Sequence, residues 1–178
     1  MNIYVVRHGE TDMGKNKVIA NEEELLNENG KKQAIELGEE LNKLAINKIY
    51  CSPIERTKQT LKLFNLNHKI PVIMDSRLKE RKMGIYEGVH FEYVNWEKFW
   101  NYDSELEYQN LETMKSVYER VKDLLEELEK VEHEENILFV THGGVARAIY
   151  WYFNGIDNSL FDCENCKIYK YQLKHKKN

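Results

Sequence analysis

Asn2-Ile3-Tyr4-Val5-Val6-Arg7-His8-Gly9-Glu10-Thr11 begins as an apolar, β-rich run and stops abruptly in charge and glycine. Its first half reads as a short buried strand. Lys48-Ile-Tyr-Cys51 repeats the pattern and ends at Ser52-Pro53, and Asn136-Ile-Leu-Phe-Val140 repeats it again, ending at Thr141-His142-Gly143-Gly144. Helical spacings lie between them. Ala34, Leu37, Leu41 and Leu44 recur every three or four residues and predict a helix after Gly30. Ser52 as N-cap and Pro53 at the first helical position predict a second, running to about Phe64. Met114, Val117, Val121, Leu124, Leu125 and Leu128 mark a long amphipathic helix, and another runs through Ala148 and Tyr152.

Ile70 to Met74 and the run Ile168, Tyr169, Tyr171, Leu173 supply further strands, and a short helix is expected around Tyr93 to Trp100. Residues 9–29 are polar and read as irregular. Strands alternating with helices predict an α/β fold, a three-layer α/β/α sandwich around a mostly parallel sheet. At 178 residues, one domain over 1–178 with a sizeable core is expected.

Composition narrows the function classes. The formal charge is 26 − 30 = −4 with no strongly basic stripe, which argues against nucleic acid as the main partner. No run approaches the roughly 20 apolar residues that span a bilayer, and no basic flank with a long apolar segment opens the chain. No membrane partner is expected. Three cysteines are an odd number, so a disulfide framework is not expected and the cytoplasm is the default address. Oligomeric state is left open.

In open α/β sheets ligands bind beyond the carboxyl ends of the strands. Three strands here end in Arg7-His8, in Ser52-Pro53 with Arg56 close behind, and in Thr141-His142-Gly143-Gly144. If these strands are neighbours, two arginines and two histidines converge on one pocket. Guanidinium forks with loop or helix-start N–H groups suit a phosphate, and nearby guanidinium charge should keep His8 neutral and nucleophilic.

These residues resemble the histidine phosphatase superfamily, the cofactor-dependent phosphoglycerate mutase-like proteins. Arg7-His8-Gly9-Glu10-Thr11 is similar to its signature, and the Leu26 to Ala34 segment (LNENGKKQA) to its Leu…Gly-x-x-Gln-Ala segment. Ser52-Pro53 through Arg56 to Gln59-Thr60 resembles its Ser-Pro-x-x-Arg-x-x-Gln-Thr helix. Leu78 to Gly88 resembles its acid-bearing loop, and Thr141-His142-Gly143-Gly144 its second histidine. The resemblance implies a phosphoglycerate mutase-like fold and a metal- and cofactor-independent phosphomonoesterase acting on a small phosphorylated metabolite. His8 would be the phosphorylated nucleophile through Nε2; Arg7, Arg56 and His142 would hold the phosphoryl group, and Glu80 would be acid, then base. Glu80 is owed to the resemblance alone. Where the family has Trp-Asn in the loop after its signature, this chain has Met13-Gly14, so either Asn16 takes over that contact with a small shift or the contact is lost, with Thr11 and Gly143 as further phosphate neighbours.

Ile85-Tyr86-Glu87-Gly88 looks like the phosphatase branch rather than the mutases, whose loop begins like Gly-Leu-Asn-Lys. Phosphoglycerate mutase-type transfer and a non-catalytic phospholigand-binding protein on the same fold remain the alternatives. Gly9 to Lys15 is nearly a nucleotide-binding loop, but position 16 is Asn and Glu10 and Asp12 would repel phosphates. Cys163 and Cys166 have the spacing of half a zinc site without a second pair, so no metal is expected. Phe91, Tyr93, Trp96, Phe99 and Trp100 read as core before substrate pocket, and His68, His90, His133 and His175 as solvated, with His90 a candidate pocket neighbour.

Overall fold

The computed structural model describes residues 1–64, 70–104, 110–130, 135–157 and 161–174. Three of the four histidines expected to be solvated, His68, His133 and His175, lie outside them. In chain order the strands are β1 (Asn2–Arg7), β2 (Lys48–Cys51), β3 (Val72–Met74), β4 (Asn136–Thr141) and β5 (Ile168–Gln172). The helices are α1 (Asp12–Lys15), α2 (Glu28–Leu41), α3 (Glu55–Phe64), α4 (Trp96–Phe99), α5 (Met114–Glu129) and α6 (Gly143–Asn154). The sheet order is β3-β2-β4-β1-β5. The three pairings among β1 to β4 are parallel, and only β5 runs antiparallel, against β1.

Strand alternation builds two cores from one sheet. Ile3, Val5, Tyr50, Ile137 and Phe139 point to one face and pack with Val121, Leu124 and Leu125 of α5 and with Ile149 of α6. Tyr4, Val6, Ile49, Cys51, Leu138 and Val140 point to the other, against Leu37 of α2 and Leu61 and Phe64 of α3. Helices on both faces make the expected three-layer α/β/α sandwich. At the sheet edge β3 is short and exposed, its three residues 37% to 49% accessible, and it begins at Val72 rather than Ile70.

Further boundaries differ from the sequence reading near the strand ends. Residues 9–29 are not wholly irregular: Thr11 caps α1 by accepting the Gly14 N–H. Helix α2 starts before Gly30, because the Asn27 side chain caps it by accepting the Gly30 N–H at 2.8 Å. Helix α3 starts at Glu55, two residues later than Pro53 suggested. The Ser52 hydroxyl does meet the Ile54 N–H, at 3.3 Å, but its shorter contact goes elsewhere, to His142.

Candidate active site

Register aligns the three strand ends. Arg7 pairs with Thr141, Cys51 with Val140, and the ladder continues one step further as the His8 N–H donates to Thr141 O and the Ser52 N–H to Val140 O, both at 3.0 Å. Because β4 lies between β2 and β1, His142 emerges between Ser52 and His8. The two imidazoles stand 5.1 Å apart, centroid to centroid, at 59°.

Glycine makes the next contact possible. A Cβ on Gly9 would stand 2.4 Å from Gly30 O, and one on Gly30 would stand 2.1 Å from Glu10 O. Backbone therefore crosses backbone here, bringing the start of α2 against the His8 loop. Five of the loop's amides are taken by protein: Gly9 donates to Thr60 Oγ1, Glu10 to Gln33 Oε1, Met13 to Glu24 Oε1, Gly14 to Thr11 Oγ1 and Lys15 to Thr11 O. A nucleotide-binding loop needs such amides free for phosphates, which weighs against the P-loop alternative.

His8 is 4% exposed. Its Nδ1 lies 2.8 Å from Gly9 O, which can only accept, so Nδ1 carries the proton and Nε2 the lone pair. Arg56 Nε donates to that Nε2 at 3.2 Å. Burial first, then the Arg56 and Arg7 guanidiniums, hold His8 well below the ordinary 6.5, the Gly9 bond opposing weakly. This is the direction expected from the neighbouring guanidiniums, with burial as the larger cause.

Arg56 is 2% exposed, and its Nη1 donates to Asn21 O at 2.8 Å, which steers the guanidinium across His8. Arg7 Nη1 donates to Cys163 O at 2.9 Å. Asn165 Nδ2 donates to His8 O at 2.7 Å, so the segment before β5 clamps the far side of the loop. His142 is fully buried, with Nε2 2.8 Å from Ser52 Oγ. Burial and then Arg56 hold it too well below 6.5. His142 Nδ1 and Arg7 Nε are buried without a protein partner. Unpaired buried polar atoms cost about 1–3 kcal/mol each, and an anion accepting from the Arg7 Nε–H would relieve one of them.

Glu80 is half-buried and approaches from the acid-bearing loop. Its Oε1 accepts the Arg81 N–H at 2.8 Å and the Gly144 N–H at 3.1 Å, tying it to the first turn of α6. Arg81 anchors the loop in turn, donating from Nε to Glu112 O and from Nη1 to Phe99 O. A Cβ on Gly143 would lie 3.8 Å from Arg7 Nε and 4.0 Å from Glu80 Oε2, so its bare backbone sits between them.

Arg7, His8, Arg56, Glu80 and Gly143 all line one cavity of about 500 Å³. Thr11 lines it as well, although its hydroxyl already caps α1. Asn16 does not. It is exposed and outside the cavity, because it ends α1 with its N–H turned back to Asp12 O; Gly14 and Lys15 line the cavity instead. The aromatic segment, read mainly as core, also lines it with Phe91, Trp96, Phe99 and Trp100. Tyr93 is 75% exposed, and His90 caps the turn over Phe91–Tyr93 and is not among the lining residues. Ser52, Asn165 and Gly144 were missed as site residues. Ser52 carries a signal as the polar end of β2 and Gly144 as part of the Thr141–Gly144 strand end; Asn165 carries none.

Among the described residues, no three His, Cys, Asp or Glu side chains are grouped to hold a metal ion. Burial pushes the Cys163 and Cys166 thiols up to about 12, which disfavours the thiolates that zinc would need. No helix of the described residues is long and apolar enough to cross a membrane.

The family model of the histidine phosphatase superfamily (branch 1) matches residues 3–178. The chain belongs to the histidine phosphatase superfamily. This histidine phosphatase is 30% identical over 184 residues to phosphoserine phosphatase 1 of Hydrogenobacter thermophilus, covering 98% of this chain and 86% of that one. It is 28% identical over 158 residues to phosphoglycerate mutase-like protein 4 of Arabidopsis thaliana, covering 83% and 69%. Its fold matches that of a mycobacterial glucosyl-3-phosphoglycerate phosphatase with a TM-score of 0.83 at 22% identity, over 95% of this chain and 89% of that one. Membership makes it a phosphoryl-transfer enzyme with a phosphoglycerate mutase-like fold.

Proposed function

We propose that this histidine phosphatase is a metal-independent phosphomonoesterase that hydrolyses a small phosphorylated metabolite through phosphohistidine on His8. One observation carries the reading: the Nδ1–H bond to Gly9 O leaves the lone pair on Nε2, on the Arg56 side of a ring whose centroid is 5.1 Å from that of His142. In the first step Nε2 attacks phosphorus, the P–O bond to the alcohol breaks, and protonated Glu80 gives its proton to the leaving oxygen. In the second, Glu80 takes a proton from water, the water oxygen attacks phosphorus, and the P–N bond breaks. Orthophosphate leaves and His8 returns to its neutral form. Arg7, Arg56 and His142 stabilise the charge spread over the equatorial oxygens in both steps.

The test is a phosphomonoester panel with chelator present, alongside quench in alkaline detergent during turnover of a 32P-labelled substrate. Wild type should turn over and carry an acid-labile, alkali-stable label; His8→Ala should lose both. Turnover near wild type in His8→Ala would refute the nucleophile. The likeness to a phosphoglycerate mutase-like protein supports a second reading, in which the phosphoryl group returns to a sugar acid. Isomerised phosphoglycerate in place of free phosphate would establish that one. Tight phosphate binding without turnover would point to a binding protein.

A further inference from the structure

Resting on the hydrolase reading, we infer that the alcohol portion of the substrate is a bulky apolar or aromatic group, not a compact charged one. The cavity lining is of two chemical kinds. Arg7, His8, Arg56, Glu80 and Gly143 make the polar part. Phe91, Trp96, Phe99 and Trp100, packed with Ile19 and Met83, make an apolar part that reaches Glu80 through Trp100. About 500 Å³ is the volume class that holds a drug-sized ligand, more than a phosphate and a three-carbon chain require.

The aromatic side is organised as a surface. Trp96 stacks on Trp100 at 6.2 Å and 16°, and both meet Phe99 edge-on, at 5.4 Å and 4.8 Å. The Trp96 indole N–H is spent on Phe91 O at 3.1 Å. What it offers the cavity is ring, not a hydrogen bond. Phe91, Trp96 and Trp100 are only half-buried although each lines a cavity, and so have apolar area left to cover.

Apart from Arg7 and Arg56, the charge lining the cavity does not favour a second anion. The remaining cations are Lys15, which is exposed, and Arg147. Arg147 is already committed: Nη2 donates to Phe161 O at 3.1 Å, and the guanidinium lies 5.1 Å over Trp100 and 5.9 Å over Trp151. Glu10 and Asp162 line the same cavity with carboxylates. A phosphoserine or phosphoglycerate carboxylate would meet those charges and leave the rings uncovered. Phosphoserine is what the Hydrogenobacter relative's name would suggest; the cavity of this chain points elsewhere.

The experiment compares propyl phosphate with 3-phenylpropyl phosphate, whose leaving alkoxides are similarly basic, beside phosphoserine and 3-phosphoglycerate. The phenyl compound should exceed propyl phosphate in kcat/KM by roughly 10–100-fold, and both charged esters should fall below it. Trp96→Leu and Trp96→Ala should shrink the phenylpropyl-to-propyl ratio to within about threefold, chiefly through KM. If one variant does not fold, the other and the wild-type ratio still decide. Equal rates for the two alkyl esters, a charged ester hydrolysed best, or an unchanged ratio in the variants would overturn the inference and leave the hydrolase reading standing. Turnover of no phosphomonoester at all would overturn both.

Discussion

Gly144→Ala should separate chemistry from stability. An added Cβ would stand 2.7 Å from Glu80 Oε1, where ordinary contact begins at 3.4 Å, so the carboxylate must withdraw by about 0.7 Å (3.4 − 2.7). Retreat is hindered, since the same Cβ would already touch Trp100 Cζ3 at 3.4 Å and Arg81 Cβ at 3.5 Å. Folding should hardly suffer. The atom that yields is the far end of a side chain, and alanine is favoured over glycine in a helix by about 1 kcal/mol. The reaction should suffer where it needs an acid. Misplacing a catalytic group by somewhat under 1 Å costs roughly 10- to 100-fold, or about 1.4–2.7 kcal/mol of transition-state stabilisation. The assay is kcat/KM, which reports steps up to phosphorylation of His8, for an alkyl phosphate and for p-nitrophenyl phosphate, with the melting temperature measured alongside. The alkyl ester should slow by that factor. The nitrophenyl ester, whose leaving group departs unprotonated, should change less than about threefold. Equal losses on both, or none on the alkyl ester, would show that Glu80 is not the acid held by this amide.

Gly30→Ala should do the opposite. Its Cβ would meet Glu10 backbone at 2.1 Å, which no rotamer relieves, so stability should fall by about 3 kcal/mol, read from urea midpoints. The buried histidines set a pH dependence. His8 and His142 both have native values well below 6.5, so below pH 6.5 the unfolded chain takes up protons that the native protein refuses. Their contribution is complete above pH 6.5 and falls with acidification, by up to about 1.4 kcal/mol per pH unit for each, levelling off only below the native values. Urea titrations between pH 7.5 and 5 should show this decline, and His8→Asn should make it shallower; an unchanged slope would contradict the buried neutral imidazole.

Legibility followed how local the determinants are. β1 and β4 were readable because four-residue apolar cores run straight into polar ends, and α5 because its buried residues recur at helical spacing. The aromatic segment was not. Its residues sit on short turns without periodicity, and whether Trp96 faces a cavity or a core depends on elements far away in sequence. Glu80 shows the same limit more sharply: its position is held by the Gly144 amide, 64 residues on, and only resemblance singled it out. Asn16 misled because it sits next to the right loop, yet α1 turns its backbone inward and its side chain out.

The pairing of Arg7 with Thr141 has a further consequence. The distance between the two imidazoles is inherited from strand spacing, the least adjustable length in a sheet, while the rings that meet the alcohol hang on segments that contribute nothing to that ladder. Reaction and selectivity are thus separable parts. The stretch from Phe91 to Trp96 is the place to exchange for a different leaving group; Phe99 and Trp100 must stay, because they hold Arg81 and flank Glu80.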